Sequence, residues 1–431
     1  MTLRGRSARL ALLLALGACT EEVMAPGTCP NFCPGGTIET ADTVLTDVIA
    51  RDSAFSGYLQ AYQGEALPVA EVPGVDSRAI FEINAMLTRV ANHLPDTTTD
   101  SITVDSARLR LNIVRRDANA PNLWIKVYRL PLGIDSTTTF AALTPWFADS
   151  IVDSVNLSDL LARPEITDTA TVRFWGDTIR TDSAGHVLQV AVDSSLVLFF
   201  DFDTTQARFL VPESGKVAYG VRVAGDARAS IALGSMDSPG RDARVVWFFS
   251  FPDTLGVPRD STAQRTSSFD SFVFTPATPG LDSNLAVGGV PTARSLLRVA
   301  IPEFLRDSAD IVRATLILVP TAPVVGAPGD SFKVLARPVL TDLGAKSPLY
   351  VTSAFFGSAT VHLNSAAPVE MELTNLVRAW AIDTSAATTL VLGQVPEAAA
   401  YTQIRFYSSR VPAFRPALRV TYVRRFAFGT P

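Results

Sequence analysis

The chain has 431 residues, of which 47% are hydrophobic and 18% charged, with a formal charge of −5. This composition supplies sizeable cores and excludes global disorder. The acidic balance excludes a protein built to track nucleic acid, and the length allows two or three domains.

The N-terminus reads MTLRGRSARLALLLALGACTEE. Arg4, Arg6 and Arg9 form a basic region, and residues 10–16 are an unbroken run of Leu and Ala. That run is about a third of the roughly 20 apolar residues a membrane-spanning helix needs, so it reads as a cleaved export signal. No later apolar run reaches spanning length. Leu16-Gly17-Ala18-Cys19 resembles the lipobox of bacterial lipoproteins. The resemblance implies cleavage before Cys19, a thioether-linked diacylglycerol on its sulfur, and stable anchoring in a lipid bilayer through several acyl chains. Thr20, where inner-membrane lipoproteins often carry Asp, implies the outer membrane, at its periplasmic face or at the cell surface. Residues 1–18 are thus expected to be signal peptide and 19–36 a tether. Cys29 and Cys33, in CPNFC, form a close even pair in an exported chain and are expected to make a disulfide. A metal site would need further ligands, but His93, His186 and His362 are scattered.

From about Thr37 the pattern alternates with period two. Ala107-Arg-Leu-Arg-Leu-Asn-Ile113 places Ala, Leu, Leu and Ile on one face and Arg, Arg and Asn on the other. Trp124–Leu130 and Leu418–Tyr422 behave alike, and Asp/Ser/Thr, Pro and Gly clusters separate such runs. Ala79–Val90 and Leu373–Ala381 are the two helix candidates, the second with Thr374 as N-cap. The expected class is all-β, with many short strands in sandwiches.

The halves repeat. Leu67, Val69, Val72 and Pro73 lead into Ser77–Ile83; Leu285, Val287, Val290 and Pro291 lead into Ala293–Val299. Ser106–Leu111 matches Arg313–Leu318, and Ser230–Ser235 followed by Ala243–Phe248 matches Gln403–Ser408 followed by Ala417–Tyr422. Two related domains are expected, at 37–252 and 267–425. The first carries insertions around Leu94–Ser101 and Trp146–Asp193, and the polar, Gly- and Pro-bearing stretch Asp253–Thr266 is the expected linker.

Arg294–Arg298, Ala314–Leu318, Leu373–Val377 with Trp380, and Pro416–Tyr422 together resemble the DNRLRE-type domain of bacterial surface proteins. The likeness covers about 160 residues well and the first half more loosely, with Thr144-Pro-Trp146 where the family often has a loop Trp. It implies two tandem antiparallel jelly-roll-like β-sandwiches. It also implies either carbohydrate binding, for some members to acidic polysaccharides such as alginate, or a scaffold role. The signature is degenerate in the first copy, which has Glu82 where the second has Arg298.

Motif searching finds no nucleophile elbow, zincin pair, P-loop or EF-hand. Asp201-Phe-Asp203 starts like a calcium loop but lacks its Gly and Glu. No cofactor is expected, although loop aspartates leave room for a structural calcium ion. The aromatic residues that could stack on sugars are Trp124, Tyr128, Trp146, Trp175 and Trp380. Trp124 and Trp380 read as core, whereas Trp146 and Trp175 fall in the insertion. Arg78 and Arg294 occupy matching positions, either as sandwich-edge ion pairs or as contacts to an acidic polymer. The candidate glycan contacts are therefore Trp146, Trp175, Arg78 and Arg294. The leading expectation is a non-enzymatic anchored lipoprotein serving glycan binding, adhesion or envelope structure. The alternative is a polysaccharide hydrolase or lyase with its site in the longer first domain.

Overall fold

The computed structural model describes residues 40–425, apart from 85–88, 92–98, 118–119, 167–177, 192–194, 204–215, 227, 254 and 325–330. For 89–91 and 99–101 only the backbone is described. The signal, Cys19, Cys29, Cys33 and Trp175 lie outside the described residues.

The protein is all-β, with antiparallel pairing throughout. It opens with β1 (Thr40–Leu45) and β2 (Ile49–Ser56). The first unit follows, with β3 (Ala66–Val72), β4 (Val75–Asn84), β5 (Arg89–Ala91), β6 (Thr99–Ser101), β7 (Thr103–Arg116) and β8 (Trp124–Arg129). Two short helices, α1 (Phe140–Leu143) and α2 (Trp146–Asp149), precede β9 (Ile151–Asn156) and α3 (Leu157–Ala162). Then come β10 (Thr178–Thr181), β11 (Val187–Val190), β12 (Leu196–Phe202), β13 (Lys216–Ala224), β14 (Ala229–Gly234), β15 (Arg244–Pro252) and the long β16 (Pro258–Thr275). The second unit has β17 (Leu285–Gly288), β18 (Ala293–Val299), α4 (Glu303–Asp307), β19 (Ala309–Leu318), β20 (Ser331–Pro338), β21 (Gly357–His362) and β22 (Val369–Glu372). It ends with α5 (Thr374–Ile382), β23 (Thr389–Val395), β24 (Gln403–Phe406) and β25 (Ala417–Arg424).

Both units share one plan. In the first, β14, β3, β4, β13, β8 and β9 are successive neighbours; in the second, β24, β17, β18, β23, β20 and β21 are. The facing sheets are built on β15 with β7 and on β25 with β19. Each unit closes over its own apolar core, one containing Phe81, Leu109, Phe200 and Trp247, the other Leu297, Leu316, Trp380 and Phe406. Period-two alternation puts these side chains inward because every second residue of a strand faces the same side.

Four expectations need correction. Asp253–Thr266 is no linker. Asp253 accepts the amides of Leu255 and Val257 at a tight turn, and β16 runs back along β15. The segment is polar because the first half of β16 pairs on one side only and stays largely exposed. Secondly, Ala79–Asn84 is strand, paired with β13 throughout and with β16 as far as Ile83, and buried through Ile83. Tertiary pairing overrides whatever helical tendency that stretch has. Thirdly, α5 forms as expected, but Leu373 takes the N-cap position. Thr374 Oγ1 instead accepts from the Ala314 amide at 2.8 Å. Fourthly, the domain boundaries move. β1 pairs with β25 and β2 with β18, so residues 40–56 belong to the second unit, while β16 completes the first.

The last repeat match also slips by one residue. Trp247 and Val420 both face the core, opposite Ala107 and Ala314 respectively, so Val245 corresponds to Leu418 and Arg244 to Ala417.

Candidate functional site

Arg78 and Arg294 take equivalent places on β4 and β18, and both are ion-paired. Arg78 is clamped by Asp76, through Nε at 3.1 Å and Nη2 at 2.7 Å, and its guanidinium lies 4.2 Å from the Phe140 ring and 4.8 Å from Phe147. Only 6% of its side chain is exposed. Arg294 is clamped by Glu397 at 2.8 and 2.7 Å and lies 4.3 Å from the Tyr58 ring. Cation–π contact and a bidentate carboxylate together use most of a guanidinium's capacity. Trp146 opens α2 with 39% exposure, beside the buried Phe147. Trp380 is core, Tyr128 is buried, and Trp124 is half-buried with its Nε1 on Asn122. Among the described residues, the candidate aromatics and arginines are therefore not gathered into one patch.

A second charged cluster is centred on a buried histidine. His186, 5% exposed, contacts Asp182 through Nδ1 at 2.6 Å and Asp153 through Nε2 at 3.1 Å, with Phe200 edge-on to its ring. Burial alone would lower its pKa, but hydrogen bonds to Asp153 and Asp182 outweigh that and push it up to about 9. An imidazolium held between two carboxylates ties the turn between β10 and β11 to β9. Among the described residues, no group of three or more His, Cys, Asp or Glu is arranged to hold a metal ion.

The most distinctive exposed feature lies on the outer side of the sheet β16-β15-β7-β12-β11-β10. Thr266, Arg244, Arg110, Phe199, Val187 and Thr181 are successive cross-strand partners and so share that face. At a strand spacing of about 4.8 Å the row spans roughly 24 Å. Arg110 and Arg244 sit directly opposite each other, an arrangement that like charges disfavour. Both are half-buried, and the Nε of each is buried without a partner. Arg244 reaches Asp242 at 3.2 Å, and Arg110 donates to Asn112 Oδ1 at 3.3 Å. Burial first, and Arg244 second, hold the Arg110 pKa below its usual value. In the next row Arg108 is clamped by Asp201 and lies 5.5 and 6.0 Å from the rings of Phe199 and Phe248. Asp201, the start of the calcium-like stretch, is thus engaged with an arginine.

The second unit lacks this pair. Ile317 and Ala417 hold the positions of Arg110 and Arg244. Its outer arginines are matched with carboxylates, Arg419 with Asp42 and Arg313 with Glu372. The sequence placed Arg108 and Arg110 on an outward face but gave no sign that Arg244 would stand opposite Arg110. A cross-strand register was needed for that.

No family model matches the chain, and no curated protein is significantly similar to it. Among the described residues, no helix is long and apolar enough to cross a membrane.

Proposed function

We propose that this is a non-enzymatic surface lipoprotein, held to the outer membrane by acylated Cys19, whose first unit binds an acidic polysaccharide. The observation that carries the reading is the opposed pair Arg110 and Arg244, with Phe199 next to Arg110 in the same cross-strand row. Two half-buried guanidinium groups with unspent donors are matched by carboxylates spaced along a polymer, which each fork can take in bidentate fashion. The half-buried Phe199 ring beside Arg110 offers apolar surface to a sugar. Thr40, the first described residue, pairs with Val423 of the second unit, which supports a reading in which the chain enters from its anchor through the second unit.

A glycan array probed with the unlipidated body, including alginate and other uronate polymers, tests the ligand. Retention on uronates that weakens with added salt is expected. No retention on any polysaccharide would remove the glycan reading and leave a scaffold. For the anchor, Cys19→Ser is expected to abolish labelling by a fatty-acid analogue in the native host; persistent labelling would overturn it.

A further inference from the structure

Each unit contains a slot filled by a strand that the repeat would assign to its neighbour. In the first unit, β16 fills the space between β15 and β4. In the second, β1 and β2 fill the equivalent space between β25 and β18. Since β1–β2 directly precedes the first unit's body and β16 directly precedes the second's, the two slot strands have been traded within one chain.

Three details identify them as copies of one element. Each carries a register shift, which leaves out Ala50 opposite β18 and Ser268 opposite β4. Two residues later each has a buried aspartate, Asp52 or Asp270. Each aspartate accepts a backbone amide at the corresponding turn: Asp52 from Ser409 at 2.5 Å, Asp270 from Met236 at 2.7 Å. Those turns match, because Ser408 Oγ accepts from the Arg410 amide as Ser235 Oγ accepts from that of Asp237. The step from Asp52 to Leu67 equals that from Asp270 to Leu285, so the connections crossing between units have one length.

The slots are alike in latch and unlike in volume. β16 brings Phe272 and Phe274 where β2 brings Ala54 and Ser56. The first slot therefore rejects β1–β2 as too small to fill it, and the second rejects β16 as too large. The slot that accepts residues 40–56 is that of a second unit, and every copy of the chain presents the same one.

We propose that residues 40–56 form an exchangeable strand and that its other acceptor is the second unit of another copy of this chain. The resulting dimer trades β1–β2 reciprocally and keeps every latch and ladder contact of the monomer. It differs only in the path of residues 60–63, because residues 57–59 bond Thr292 and travel with the strand, whereas Gly64 accepts from Ser235 and stays with the first unit. Identical contacts make such exchange a low-cost route to dimers, governed by concentration and by the connecting segment.

Thr40 and Val423 are directly opposed on β1 and β25, which suits a disulfide across the pair. A single chain with both Thr40→Cys and Val423→Cys is expected to close internally, which establishes that the pair can bond. Two differently tagged chains, one with Thr40→Cys and the other with Val423→Cys, are then unfolded together, refolded over a range of concentrations and oxidised. Peptide mapping by mass spectrometry is expected to find a 40–423 bridge between the two tags, more abundant at higher concentration. If the double variant closes and the mixed chains give no such bridge at any concentration, the proposal is overturned. Ordinary surface association leaves the strands at home and gives no bridge either.

Discussion

Where the first unit opposes Arg110 to Arg244, the second has Ile317 and Ala417, although the two sheets share strand order and register. The second unit's outer arginines are neutralised by Asp42 and Glu372, on strands at the two edges of its sheet. A shared plan with one face neutralised and the other left cationic separates what the fold needs from what it does not. The sandwich forms without the arginine pair, so the pair is available for a ligand. The units also differ inside: equivalent inward positions hold Trp247, fully buried, and Val420.

That internal difference gives the largest expected effect. Trp247→Ala should cost about 3–5 kcal/mol, because truncation loses transfer energy and leaves a large void. Val420→Ala removes two buried methyl groups and should cost roughly 2 kcal/mol. Urea unfolding followed by circular dichroism measures both. Equal losses would mean that the first core repacks around the hole and that the two interiors are less distinct than their side chains suggest.

Next in size is binding. Replacing Arg110 and Arg244 together with Ala should weaken retention on an acidic polysaccharide at least tenfold, since each charged hydrogen bond contributes about 1.5–3 kcal/mol. Arg313→Ala with Arg419→Ala, on the neutralised face, should leave binding unchanged. If both double variants bind equally, the opposed pair is not the contact, and the comparison between faces loses its functional meaning.

Much of the fold was legible because burial imposes a period of two. Ala107–Ile113 declared its inner and outer faces, and the repeated Leu-Val-Val-Pro spacing marked β3 and β17 before any register was known. What escaped was non-local. Asp253–Thr266 looks like a linker because a strand paired on one side carries polar residues, as a linker does. The trade of β1–β2 for β16 leaves each strand's own pattern intact and changes only its partner. The candidate site was half legible for the same reason. Arg110 was visibly outward, but Arg244 acquires its meaning from the strand beside it. Arg78 and Arg294, singled out by their matching positions, turned out to be clamped by Asp76 and Glu397.

The latch at Asp270 should respond to pH. Asp270 is 1% exposed, and burial pushes its pKa up to about 6 against the help of the Met236 amide and Ser267. A carboxyl with a raised folded pKa holds its proton more tightly folded than unfolded. Stability from Asp270 is therefore greatest near pH 4 and declines as pH rises to about 6, by roughly 2–3 kcal/mol, then levels off. Asp270→Asn should flatten that limb. His186 supplies a second limb with the same sign. Its raised pKa stabilises fully below about 6.5, and that contribution is lost as pH rises through about 9. Denaturation midpoints between pH 4 and 10 for the wild type, Asp270→Asn and His186→Gln would show both. A wild-type profile without either decline would mean that these groups titrate alike in the folded and unfolded chain.

The smallest effect concerns the neutralised face itself. Arg419 donates to both oxygens of Asp42, but the side chains are 53% and 42% exposed. An ion pair so open to water contributes little, and salt screens it further. Arg419→Ala should therefore shift the unfolding midpoint barely at all. Asp42 lies on the exchangeable strand and Arg419 on its acceptor. Removing the arginine takes the same weak contact from monomer and exchanged dimer, so stability and the fraction of chains bridged between positions 40 and 423 should both stay nearly unchanged. A large drop in the unfolding midpoint would instead make the neutralised face a structural necessity, and the contrast with the arginine pair of the first unit would then be one of stability rather than of ligand.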